Sequence, residues 1–355
     1  MGNGKPGVDH VTNLEDQRPE RWDRREFVKT LGALAGSAGL LGYDLRPAAA
    51  EPPPEIKKIR LVRTIAICLA PQYLAEQLLR LEGFTDVQYI EQIPGGTLVD
   101  ILEKGQADLT QEAAPALVYA MDRHPSLVVL AGIHAGCFEL FGNDRVQAVR
   151  DLKGKRVGVY ALGGADYVML SSMLAYVGLD PRKDVDWAPD DKFGDAMRRF
   201  IEGRVDAFMG FAPQPQELRA KKIGRVIVDT AQDRPWSDYF CCALVANRDF
   251  VTNYPIATKR ALRALLKATD ICAREPERAA RYMLEKGYEP RYEIGLEVLK
   301  SLPYDRWRTA SPEDTLRFHA LRLHEVGMIK SSPQKLIAQS TNWRFLNELK
   351  RELKA

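Results

Sequence analysis

Between an apolar strand ending at Tyr160 and a helix opening near Asp166, the chain reads Ala161-Leu162-Gly163-Gly164-Ala165. A glycine turn that feeds a helix start suits one kind of chemistry. The first turn of a helix presents unpaired N–H groups and positive partial charge, which favour anions, and glycine lets a ligand reach the bare backbone. The competing reading is a plain turn with no ligand. Glu112 stands at the head of another helix, with Ala113 after it. Its carboxylate either caps that helix or faces a ligand amine. Tyr73, Phe211 and Tyr239 lie in loops and are sized to sandwich an apolar body, and Gly96 closes a Pro94-Gly95-Gly96 turn.

Catalytic groupings are absent from the pattern. The histidines stand at positions 10, 124, 134, 319 and 324, with no H-E-x-x-H, no G-x-S-x-G and no zinc-type Cys/His spacing. The five cysteines (Cys68, Cys137, Cys241, Cys242, Cys272) are odd in number and contain no C-x-x-C. Adjacent Cys241 and Cys242 on a strand should point to opposite faces. The five read as separate buried thiols, and no cofactor or metal is expected.

The elements that position these residues alternate. Strand-like "KIRLVRTIAICLA", helical "QYLAEQLLRLEGF", strand "VQYIEQI", a short helix, strand "ADLT", helix "EAAPALVYAMDR" and strand "SLVVLAGIHA" follow in order, and the pattern restarts at "VRDLKGKRVGVYALGGADYVML". That alternation indicates an α/β fold with mainly parallel sheets. Within each half a helix ends at Gly, an Asp follows, and a short strand leads to a Pro-containing loop: Lys104–Leu109 then Glu112–Ala116, and Glu202–Ala207 then Phe211–Pro215. A last long strand near Phe240–Ala246 precedes helices at 256–273, 276–286, 291–301, 312–326 and 342–353. The chain therefore reads as lobe one at 57–145 plus 239–355, and lobe two as an insert at 146–238. The lobes are joined by two crossings around a ligand cleft.

The head of the chain is an address. Arg24-Arg25 leads through Phe27 and Lys29 into an apolar run, Leu31–Gly42, and then Ala48-Ala49-Ala50. Spanning a bilayer takes about 20 apolar residues, and this run is shorter and broken by glycines. A basic n-region, an h-region and an A-x-A site make a signal peptide. The Arg pair with its Phe and Lys resembles the twin-arginine type, with Asp23 where Ser or Thr is usual. Residues 1–50 would be removed after about Ala50, leaving a 51–56 linker ("EPPPEI") and a periplasmic protein. The G-x-G-x-x-G at Gly2–Gly7 has no strand before it and is a decoy. The full chain carries a net charge of +3, and residues 1–50 hold seven charges of each sign. A near-neutral mature chain without a basic run excludes nucleic acid as a partner.

Together, "LAPQYLA" (69–75), "KGQADLTQEAAPALV" (104–118), "RDLKGKRVGV" (150–159) with its glycine turn, and "EGRVDAFMGFAPQP" (202–215) resemble the nitrate/sulfonate/taurine-type periplasmic substrate-binding proteins of ABC importers. The resemblance spans roughly 57–330 and rests on motif order. It implies a type II periplasmic binding protein of two Rossmann-like lobes, acting as a monomer without catalysis. Such a receptor hands a small organic anion (a sulfonate, nitrate or a carboxylate) to an inner-membrane permease. It also implies ligand contacts from Gln72 and Tyr73 in the opening loop and from His134 in the first crossing. The same superfamily holds iron-dependent enzymes that make thiamin pyrimidine, with a Cys-Cys-Cys-Phe-Cys motif and a sacrificial histidine. Here a single Cys137 precedes Phe138, so that enzyme, or a pyrimidine-binding protein, is the alternative. The anion is expected against Gly163–Asp166, with its body between Tyr73, Phe211 and Tyr239. Should Asp166 cap its own helix, the anion must shift beside Gly163.

Replacing Arg24 and Arg25 together by Lys should trap the precursor in the cytoplasm, while the wild-type mature chain begins at Glu51. Fractionation and N-terminal sequencing check both, and wild-type periplasmic yield of the double variant would refute the twin-arginine route.

Overall fold

A computed structural model describes residues 51–64, 66–92, 97–192 and 194–354. The signal motif (Arg24, Arg25, Phe27, Lys29) and Gly96 lie outside the described residues. Two five-stranded mixed sheets carry the fold. The first runs β2-β1-β3-β10-β4, made of β1 (Lys58–Arg63), β2 (Asp86–Glu91), β3 (Leu109–Ala113), β4 (Leu127–Ala135) and β10 (Phe240–Asn247). The second runs β7-β6-β8-β5-β9, made of β5 (Phe138–Gly142), β6 (Arg156–Val159), β7 (Asp186–Pro189), β8 (Ala207–Phe211) and β9 (Arg225–Asp229).

Each sheet is parallel except for one strand that has just crossed from the other. β1 pairs in parallel with β2 and β3, and β6 with β7 and β8. β10 enters the first sheet antiparallel between β3 and β4, and β5 enters the second antiparallel between β8 and β9. Because β5 belongs to the second sheet, the first crossing is the short step Gly136-Cys137, and the expected boundary at residue 146 falls too late. The apolar continuity of "LVVLAGIHAGCFELFG" hid the change of sheet.

Five helices matter for the cleft: α1 (Ala70–Leu81), α2 (Ala114–Met121), α3 (Ala165–Tyr176), α4 (Pro255–Arg274) and α5 (Pro312–Glu325). The first expected strand stops at Arg63, and Ile67–Leu69 forms a 3-10 turn into α1 with Pro71 in its first turn. Tyr73, Leu74 and Leu79 of α1 are buried, whereas Leu81, expected on the same stripe, is 82% exposed. Gly83, at φ +102°, ends the helix in a conformation only glycine adopts readily. α4 packs on α1 and clamps it electrostatically, Arg263 Nη1 lying 2.8 Å from the Glu82 carboxylate. α5 packs on both α2 and α3, and Ser172 of α3 meets His319 Nδ1 at 2.9 Å. The helices after residue 255 were expected on the first lobe, so α5 is an exception that touches both. Thr341 makes an isolated parallel bridge with Val129, which shields the outer edge of the first sheet.

Gly132 of β4 shows how tightly β10 is seated. A Cβ there would fall 2.4 Å from the Phe240 ring. Gly132→Ala should destabilise the protein by about 1–3 kcal/mol through overpacking, read as a lower urea midpoint at unchanged slope.

Candidate functional site

The two sheets face each other across a cavity of about 1170 Å³. Its walls come from the first sheet (Arg63, Gln111, Glu112), from β8 (Phe211) and the residues just past β6 and β7 (Tyr160, Asp190), from the turn Ala161–Asp166, and from Cys137 and Cys242 at the crossings. A cleft of this size, with a few convergent polar groups, suits a small solute.

β3 supplies the polar floor. All five of its residues are buried, although three are Thr110, Gln111 and Glu112. Thr110 and the Gln111 backbone are satisfied by Gln72, whose Oε1 accepts from Gln111 N at 3.0 Å and from Thr110 Oγ1 at 3.2 Å. Gln72 Nε2 also donates to the Val62 carbonyl. The Gln111 side chain is different. Both its Oε1 and Nε2 are buried without a hydrogen-bond partner, and it lines the cavity. An orphaned amide costs about 1–3 kcal/mol, a cost that a ligand in the cleft would remove. Glu112 Oε1 accepts from Ala113 N at 2.7 Å, so this carboxyl folds back on the strand end just ahead of α2 and lines the cavity. Burial pushes its pKa up to about 8.

Across the cleft, Gly163 takes φ +83°, a left-handed turn that requires glycine, and a Cβ there would meet the Tyr119 ring at 3.5 Å. Gly164 N is spent on Ala161 O at 3.0 Å. Asp166 turns back over its own helix start and accepts from Tyr160 N. Burial raises it to about 7, against hydrogen bonds that pull it down. It therefore occupies donors that an anion would use and faces the positive end of α3 with a carboxyl of its own. Asp190 is raised to about 6 by burial, and its Oδ1 is a further buried acceptor without a partner on the cavity wall.

Of the residues expected to bind, Glu112, Ala113, Gly163, Gly164, Ala165 and Phe211 line the cavity. Gln72, Tyr73, His134 and Tyr239 do not. Gln72 is fully buried as the strand latch described above. The Tyr73 hydroxyl donates to Thr64 O at 2.5 Å, and its ring stacks on Tyr288 at 4.1 Å, so it buttresses an aromatic that does line the cavity. His134 lies wholly buried in β4 against Tyr304. Tyr239 stacks on Phe318 of α5 at 4.1 Å. Sequence reading missed Gln111, Asp190, Tyr288 and the cysteine wall. Only Gln111 had a signal: consecutive polar residues ending a short strand that is otherwise core.

Two α/β sheets that exchange strands through a double crossing, with a cleft between them, define the periplasmic-binding-protein fold of ABC-importer receptors. The periplasmic nitrate-binding protein NrtA from Synechocystis PCC 6803 superposes with a TM-score of 0.71 at 17% identity, covering 85% of this chain and 90% of that one. The alkanesulfonate-binding protein SsuA from Xanthomonas axonopodis pv. citri, bound to MOPS, gives 0.66 at 18% identity over 83% and 100%. The desulfurization enzyme DSZB shares the fold at 0.57 and 15% identity, over 84% and 100%. Among curated proteins there is no match. The chain matches the model of the NMT1-like family over residues 65–284 and belongs to that family. No helix among the described residues is long and apolar enough to cross a membrane.

Glu112 and Asp166 hold their protons to higher pH when folded than when unfolded. Their contribution to stability is therefore complete below the unfolded carboxyl range and is lost as pH rises through about 7 and 8. Glu112→Gln should flatten this loss and leave the variant relatively more stable at the alkaline end, as urea titrations across that range would show.

Proposed function

We propose that the chain is the solute receptor of an ABC importer, exported to the periplasm as a monomer and serving an inner-membrane permease. Its solute is a small organic anion whose body also carries an amine. The observation behind the amine is the floor itself, where the unpartnered Gln111 amide and the Glu112 carboxyl face the cavity together. An ammonium there would return Glu112 to its charged state and supply donors to Gln111 Oε1. Support for the anion is the Gly163 turn at the start of α3, with Lys192 also on the cavity wall. Because the Asp166 carboxyl stands in the first turn of α3 and already takes Tyr160 N, the anionic head belongs beside Gly163 rather than over Asp166. The relatives named for nitrate and alkanesulfonate agree with an anionic head. The ligand-binding set becomes Gln111, Glu112, Gly163, Asp190, Phe211 and Tyr288, with Gln72 and Tyr73 holding it in place. The reading is one of binding without turnover.

Calorimetry on an aminoalkanesulfonate, the matching alkanesulfonate and the matching alkylamine tests this. The zwitterion should bind tightest and be recovered unchanged. Glu112→Gln should weaken only the two aminated solutes, by roughly tenfold to a hundredfold, the worth of one charge-assisted hydrogen bond. Gly163→Asp should abolish binding of both sulfonates. A neutral pyrimidine that outbinds every anion, or any chemical conversion of the solute, would overturn the reading.

A further inference from the structure

Four of the five cysteines converge where the crossings meet the cavity floor. The sulfurs of Cys68, Cys137 and Cys242 all lie within 4.8 Å of one another, and all three residues line the cavity. They come from three distant parts of the chain: the 3-10 turn after β1, the first crossing, and the start of β10. Thiolates around a tetrahedral or trigonal ion sit about 2.3 Å from it, which leaves the sulfurs roughly 4 Å apart. The observed triangle needs little adjustment to reach that.

Local backbone features build the cluster. β10 carries register shifts on either side of Cys242 in its pairing with β4, so that Cys242 faces His134 and Cys241 is the extra residue. The bulge cancels the alternation expected from adjacent positions, and the Cys241 and Cys242 sulfurs are 4.0 Å apart. Cys137 takes φ +148°, a conformation rare for any residue with a side chain. Thr230 Oγ1 holds its N–H at 3.2 Å. The Cys68 carbonyl is anchored by the Tyr304 hydroxyl at 3.0 Å.

His134 gives an independent pointer. Its Nδ1 faces two acceptors, Ala135 O at 3.2 Å and Gly136 O at 3.1 Å, and therefore carries the ring proton. Its Nε2 then presents a lone pair. That atom is fully buried without a hydrogen-bond partner, on the residue that β4 sets opposite Cys242. An imidazole fixed through Nδ1 to backbone carbonyls is how protein sites orient a histidine towards a metal.

We propose that the floor of the cleft binds one thiophilic d10 metal ion, Zn(II) or Cu(I), through the thiolates of Cys68, Cys137 and Cys242, which His134 Nε2 joins only by moving closer than it now lies. Binding releases the three thiol protons to solvent and changes no oxidation state. Three thiolates select soft ions over calcium or magnesium. This inference does not rest on the identity of the organic solute.

The test uses the mature chain, freshly reduced and stripped of metal, with Zn(II) or Cd(II) alone as the probe. Elemental analysis should show one equivalent retained through gel filtration, and Cd(II) should produce thiolate charge-transfer absorption. Cys137→Ser and Cys242→Ser should each abolish this absorption, His134→Gln should weaken affinity by about tenfold to a hundredfold, and Cys272→Ser should match wild type. Should a cysteine variant not fold, alkylation of the wild type with and without Zn(II), mapped by mass spectrometry, replaces it. Protection of Cys68, Cys137 and Cys242 together supports the site, and unchanged labelling refutes it. Binding that survives loss of Cys137, or a stable Cys137–Cys241 disulfide in the isolated protein, overturns the proposal. Those two sulfurs are 2.7 Å apart, so oxidation is the direct competitor.

Discussion

The side-chain amide of Gln72 is the joint on which the first wall of the cleft depends. From the first turn of α1 it reaches the Val62 carbonyl of β1 and, on β3, the Thr110 hydroxyl and the Gln111 N–H. A helix start, two parallel strands and the polar floor are thereby held in one register. Without it, a buried backbone N–H of β3 would lose its partner in a region closed to water, at a cost on the order of 1–3 kcal/mol. With it, the Gln111 side chain is left free of structural duty. Gln72, expected as a ligand contact, thus acts one step behind the cavity wall, and the same holds for Tyr73 behind Tyr288.

The opposite wall is governed by a conflict between a helix start and a carboxyl. The N-terminus of α3 offers positive potential and N–H donors, but Asp166 is buried over them. Glu112 and Asp190 add two more carboxyls to the same cavity. Burial and like groups sharing a desolvated space raise the proton affinity of all three. Under the proposed function, a solute bearing charges of both signs would let those carboxyls ionise where a simple anion would not.

The fold was legible because it rests on patterns that sequence expresses directly: strands alternating with helices, a repeated Gly–Asp–strand–Pro order in each half, and glycine turns. The boundary at the first crossing was not legible. Ala135 and Phe138 are equally apolar neighbours on either side of it, and only the hydrogen-bond pairing of β5 with β8 and β9 separates them. The glycine turn and Glu112 lie on the cavity wall where local sequence signals set them. Tyr239 was misplaced because nothing in its neighbours reveals that Phe318, far along the chain, supplies its stacking partner. The cysteine cluster was invisible for two reasons. Its members are scattered, and the strand rule of opposite faces fails at a bulge that sequence does not announce.

The placement of β10 also bears on how the molecule is made. During synthesis β3 and β4 emerge early, but the strand that belongs between them follows only after all of β5 to β9. Until then the first sheet has two unsatisfied strand edges, the polar β3 and a β4 rich in valine, leucine and isoleucine. Long-range pairing of this kind is slow and exposes sticky intermediates. The nascent chain is therefore most vulnerable to aggregation while the second sheet is being completed. A ribosome stalled after β9 would carry a finished second sheet beside a first one that cannot close.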